Sequence, residues 1–150
     1  AAAAFADAPW TGVGFAEFDR AMQRLPACRG EAATKVERCH LGHAHNDLAE
    51  WAATMGIPGV VALGLLYVAP LWLFLRLRRG VKLGRLRGSA QAGAMLVLVF
   101  VLCGLTQSMF AHQTTSSVYA AFGGVLLGMA LREARWSPRK LRREAVAAAP

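Results

Sequence analysis

The sequence predicts an all-α integral membrane protein with three transmembrane helices behind an N-terminal loop segment. Three observations carry this expectation. Only 17% of the 150 residues are charged while 55% are hydrophobic, against about 25% charged in an ordinary soluble domain. Three stretches run without charge for close to the roughly 20 residues that a bilayer crossing needs. The basic residues, which give the chain a net charge of +8, gather in blocks beside those stretches, as membrane flanks do. That placement argues against nucleic acid, the partner so basic a chain would otherwise suggest. The hydrophobicity excludes intrinsic disorder, and three cysteines are too few for a disulfide-rich scaffold.

Residues 1–56 form the loop segment. Pro9-Trp10-Thr11-Gly12-Val13-Gly14 reads as a turn, followed by a short helix within Phe15–Leu25 and an irregular loop over 26–42. Gly12-x-Gly14 lacks the preceding strand and third glycine of a dinucleotide fingerprint. Asp47-x-x-Glu50 predicts a capping box. Leu48, Trp51, Ala52 and Met55 then mark one apolar face of a short interfacial helix that Gly56 ends.

The three spans are predicted over about 57–75, 90–109 and 115–131. Pro58 stands in the first turn of its helix, where its missing N–H costs little. Pro70 should kink the same helix, a break that neighbouring helices can accommodate. Gly124 and Gly128, with Ala120 before them, suit either a close helix contact or the general frequency of glycine in membrane helices. Residues 132–150 form a basic tail.

Orientation follows from charge. Arg76, Arg78, Arg79, Lys82, Arg85 and Arg87 lie between the first two spans, and Arg132, Arg135, Arg139, Lys140, Arg142 and Arg143 follow the third. The positive-inside rule assigns both blocks to the cytoplasm. Residues 1–56 and His112 then face outward, into the periplasm of a Gram-negative bacterium. Export of so long a segment calls for an upstream helix or signal sequence, and the chain opens on Ala1 with no basic n-region. The expectation is therefore a C-terminal part of a longer polytopic protein, partnered by upstream transmembrane helices.

Chemistry concentrates in the histidines. His40, His43 and His45 lie within six residues, and His112 shares their side of the membrane. One reading makes Cys39, His40, His43 and His45 a zinc site, but that spacing is too compressed for four converging ligands and has no second pair. The other makes a histidine a general base, since an unperturbed imidazole titrates near about 6.5 and can take a proton from a hydroxyl. A solvated or backbone-bonded histidine is the ordinary alternative. Asn46 either caps the helix or holds a substrate hydroxyl. Cys28 and Cys39 share an oxidising compartment and could pair, while Cys103 lies in a span as packing. No serine nucleophile elbow, Walker loop or CxxC is present.

His45-Asn46, nine residues, then Gly56-Ile57-Pro58-Gly59 resembles the His-Asn-x9-Gly-x-x-Gly signature of the bacterial O-antigen ligase family. Pro9-Trp10-Thr11-Gly12-Val13-Gly14-Phe15 is similar to the Pro-x-x-Gly-x-Gly stretch that precedes it, and Gly104-Leu105-Thr106-Gln107 with Phe110 and His112 to the family's Gly-Leu-Thr segment. The resemblance covers roughly residues 8–131. It implies the C-terminal part of a polytopic inner-membrane glycosyltransferase of lipopolysaccharide biosynthesis, active at the periplasmic face. Glycan passes from undecaprenyl diphosphate to a hydroxyl of the lipid A–core, by inversion and without metal or cofactor. By carry-over His45 is the catalytic base, with Asn46, His43, Arg38 and His112 as substrate-binding residues. The family's diphosphate-binding arginines would lie upstream of Ala1, leaving Arg20, Arg24, Arg29 and Arg38 as outward-facing substitutes or simply solvated charges. O-antigen polymerases and protein O-oligosaccharyltransferases share the donor and the base. A small metal- or lipid-binding membrane protein is the reading without catalysis.

Overall fold

The computed structural model describes residues 1–14, 17–24, 42–80 and 88–135. Its elements are α1 (Ala2–Asp7), α2 (Phe18–Gln23), α3 (Asp47–Gly80), α4 (Gly88–Gly104), a 3-10 turn (Met109–Ala111) and α5 (Gln113–Arg135). No strand occurs among the described residues. Two compact units result: Ala1–Leu66 with Val101–Ser116, and Tyr67–Phe100 with the chain from Ser117 onward.

The first unit is built on small residues. Ala4 of α1, Phe18 of α2 and Ala53 of α3 form its buried cluster, with Val13, Ala21 and Ala44 packed against it. Two of its three members are alanines, and Phe18 is its large side chain. The helix α1 has no counterpart among the predicted elements, although its alanines are the strongest helix formers.

The helix α3 joins the predicted interfacial helix to the first predicted span, and its break falls at Gly56 (φ 65°, ψ −153°). Pro70 keeps helical angles, and the break in them within α3 is the one at Gly56. The reason lies in the backbone bonds on either side. Pro58 has no N–H to offer Thr54, and the Ile57 N–H turns away to the Pro9 carbonyl at 2.8 Å. Two carbonyls are thereby released. Val13 N donates to Ala53 O at 2.8 Å and Gly14 N to Thr54 O at 3.0 Å, so both are satisfied. The Pro9–Gly14 turn is the plug for a helix break.

That plug requires glycine on both sides. Gly12 has φ +66°, and a Cβ there would lie 2.2 Å from the Thr54 carbonyl carbon. Gly56 has φ +65°, and its Cβ would meet Pro9 O at 2.5 Å. Only a residue without a side chain fits either position.

Two helices are long and apolar enough to cross a membrane: Asp47–Arg79, with mean hydropathy 2.0, and Gln113–Arg135, with 1.4. Only 11% of each apolar window is buried within the chain, unlike the core helix of a soluble domain. Val61, Leu65, Val68 and Trp72 leave one face of α3 exposed, and Val118, Phe122, Val125 and Met129 do the same on α5. Such stripes at helical spacing are costly in water. The remaining apolar helix, α4, has 17 residues, or about 25 Å of rise. It stops at Gly104 instead of the expected 109, where the last turn tightens to three-residue bonds from Leu105 N to Leu102 O and from Thr106 N to Cys103 O. In turn α5 starts earlier than expected, at Gln113, where Thr115 and Ser116 hydroxyls bond to the His112 carbonyl at 3.0 Å each.

In the second unit Gly93 of α4 faces Phe74, whose ring would lie 2.3 Å from an added Cβ and is itself 1% exposed. Tyr67 donates to Phe100 O at 3.2 Å, and the Phe100 and Tyr119 rings pack at 4.8 Å. The Ser89 hydroxyl donates to Glu133 at 2.6 Å. An added Cβ at Gly124 or Gly128 would meet no atom among the described residues. Among the described residues the apolar helices meet closely at Gly93, and nothing touches the GxxxG pair.

Candidate functional site

The site grows from the N-terminus of α3. Asn46 is the residue before the helix, and its Oδ1 accepts from Ala49 N at 2.9 Å, the bond an N-cap makes to the third helical residue. The capping box expected from Asp47 is thus corrected by one residue. Asp47 is already helical, which frees its carboxylate for another task. It is 2% exposed, and its Oδ1 accepts from Phe110 N at 3.1 Å. Glu50 reaches back so that Oε2 accepts from Ala44 N at 2.5 Å, between the two histidines.

Asn46 also fastens the segment after α4. Its Nδ2 donates to Leu105 O at 2.8 Å, and its backbone N donates to Ser108 Oγ at 3.2 Å. Ser108 is fully buried. Replacing Asn46 by alanine removes the cap and the Leu105 bond together. At about 1 kcal/mol for each, chemical denaturation of the purified chain should show a loss of about 2 kcal/mol. A change below a few tenths would mean that the two segments are held elsewhere.

These ties present three imidazoles side by side. The His43 ring lies 4.1 Å from that of His45 and 5.2 Å from that of His112, edge to face in both cases. His45 and His112 are exposed, while Nδ1 of the half-buried His43 is enclosed without a hydrogen bond. His45 has φ 51°, the left-handed region, among non-glycine residues the single such case described. Histidine tolerates this region better than most residues, and strain of this kind gathers at functional sites. His45 Nδ1 meets Gln107 Oε1 at 2.9 Å. An amide oxygen can only accept, so in this pairing the hydrogen of a neutral His45 ring belongs on Nδ1 and the lone pair on Nε2. An exposed nitrogen lone pair can take a proton from a hydroxyl brought against it.

Among the described residues no three His, Cys, Asp or Glu side chains are placed to hold a metal ion. His40, Arg29, Arg38, Cys28 and Cys39 lie outside the described residues, so the zinc reading, the cysteine pairing and the Arg38 contact fall there too. Arg20 pairs with Glu17 at 2.5 Å on the surface, and the pair is too exposed to add much stability. Gln107 and Ser108 enter the site with no role foreseen from sequence, and Asp47 enters it in a role other than the expected cap. The signal for Gln107 is the stretch Gly104-Leu105-Thr106-Gln107, which Ser108 directly follows, and its position after the second apolar run says nothing about what it touches.

No protein-family model matches the chain, and no curated protein matches it.

Proposed function

We propose that the chain carries the acceptor-activating centre of an O-antigen ligase-like glycosyltransferase, with His45 as general base. One observation carries the reading. Residues 9–14, 45–46, 56–59 and 104–112 bear the resemblance, and although far apart in sequence they interlock in a single unit by the bonds Ile57 N to Pro9 O, Val13 N to Ala53 O and Asn46 to Leu105 and Ser108. Segments chosen only by chance similarity have no reason to meet.

In this reading α3, α4 and α5 cross the bacterial inner membrane and the first unit works at its periplasmic face. A sugar hydroxyl of the lipid A–core lies against Nε2 of His45. The nitrogen takes the hydroxyl proton as the oxygen attacks the anomeric carbon of the glycan carried on undecaprenyl diphosphate. The bond from that carbon to the diphosphate oxygen breaks, and the leaving diphosphate takes its electron pair. Attack opposite the leaving group inverts the anomeric centre. Holding the two substrates in line supplies much of the acceleration, because the leaving group is already a good one. His43 and His112 line the approach to His45 and offer N–H groups to sugar or phosphate oxygens, with Arg38 a further cation for the diphosphate.

The experiment is substitution of His45 in the producing strain, with lipopolysaccharide and glycoproteins separated on gels. Loss of glycan from the lipid A–core with the protein still in the membrane supports ligation. Loss of chain length or of protein glycosylation instead assigns the polymerase or oligosaccharyltransferase alternative, and normal glycans throughout sink the reading. Sidedness has its own check. In a chain whose three cysteines are replaced by serine, a cysteine introduced at Gln113 should react with a membrane-impermeant maleimide added outside intact spheroplasts, and reaction only after lysis would place the site on the wrong face.

A further inference from the structure

We propose that Gln107 is a positioning residue that fixes the proton of neutral His45 on Nδ1 and so keeps Nε2 available as base. The proposal rests on the general-base reading of His45 and deepens it. A solvated neutral histidine side chain favours the hydrogen on Nε2, the wrong form for a base that must work through that atom. Some group has to reverse the preference, and the 2.9 Å bond from Nδ1 to Gln107 Oε1 does so.

Placement of Gln107 is forced by its neighbours. Leu105 O and Ser108 Oγ, on either side of it, are both bonded to Asn46, the residue next to His45. Gln107 N is held by Cys103 O at 2.9 Å, and Gln107 O accepts from Met109 N at 3.0 Å. The backbone on both sides of Gln107 is thus tied down opposite His45. The His43 ring stands edge to face against His45 at 4.1 Å and restricts rotation of the imidazole. When Nε2 takes the hydroxyl proton, the ring becomes a cation with hydrogen on both nitrogens. Gln107 Oε1 then accepts from a charged donor, a stronger bond than the one it makes to the neutral ring. The ring returns to its starting form when the Nε2 proton passes to water.

The test uses the full chain with labelled histidine, reconstituted in lipid nanodiscs and held at a pH where the rings are neutral. Long-range nitrogen–proton correlation reads which ring nitrogen bears hydrogen, with His45 assigned by loss of its signal in His45→Asn. The expected result is hydrogen on Nδ1 in the parent chain and on Nε2 in Gln107→Leu. Gln107→Glu, whose carboxylate can only accept, should retain hydrogen on Nδ1. In the producing strain Gln107→Leu should slow glycan transfer about tenfold, with Gln107→Glu restoring most of it. Hydrogen on Nε2 in the parent chain, or an unchanged tautomer in Gln107→Leu, overturns the proposal. Undiminished transfer in His45→Asn would instead overturn the general-base reading while leaving the tautomer result standing, so the two failures are distinguishable.

Discussion

The His45→Asn chain should reach the membrane, fold and transfer no measurable glycan. Asparagine is the informative replacement because position 45 has φ 51°. Asparagine accepts the left-handed region readily, whereas alanine would add a backbone cost of about 1–2 kcal/mol and confuse loss of chemistry with loss of structure. The asparagine side chain has no basic nitrogen. Removing a positioned general base typically costs about a hundred- to ten-thousandfold in rate. Measured in membrane vesicles with lipid-linked glycan, that fall would bring transfer near background. A rate within about threefold of the parent, far inside that range, would show that another group accepts the proton.

A second large effect is expected far from any hydroxyl. Gly12→Ala places a methyl group 2.2 Å from the Thr54 carbonyl carbon and 2.3 Å from Met55 N, both backbone atoms in a continuous helix. Neither can swing aside as a side chain would. The left-handed φ of +66° adds its own cost of about 1–2 kcal/mol, and overpacking adds about 1–3 kcal/mol more. Thermal unfolding of the solubilised chain should therefore fall by about 2–5 kcal/mol, and transfer with it, because Val13 and Gly14 would no longer satisfy Ala53 and Thr54. Gly56→Ala breaks the same contact from the other side. The double variant should cost much less than the sum of the two. Independent, additive losses would mean that the turn and the break are not one structure.

The helices were legible because length without charge is a property of composition over a window. Gly56 was legible as a stop, since the apolar face of Leu48, Trp51, Ala52 and Met55 ends there. At Pro70 a missing N–H inside a long apolar helix removes one bond without taking the chain out of helical angles. At Pro58 the missing N–H falls beside a glycine, and there the helix opens. The closeness of His43 and His45 follows from adjacency, whereas the residue pattern puts His112 only on their side of the membrane and the resemblance alone puts it in their site; its ring stands 5.2 Å from His43. The bonds from His45 to Gln107 and from Phe110 to Asp47 join residues about sixty positions apart. Contacts of that kind are made at a helix end and in the turn between two helices, where no period runs, so nothing in the residue pattern announces them.

Between the cap at Asn46 and the break at Gly56 stand Asp47 to Met55, nine helical residues. They amount to two and a half turns, or about 14 Å. Both ends are pinned, one to the segment after α4 and the other to the Pro9–Gly14 turn, so this spacer fixes an angle as well as a distance. One residue more would rotate its two ends against each other by about 100° and separate them by about 1.5 Å, unseating either the imidazole or the plug. The interval of nine is a phase setting, and drift in its length is dearer to the molecule than most changes of residue within it.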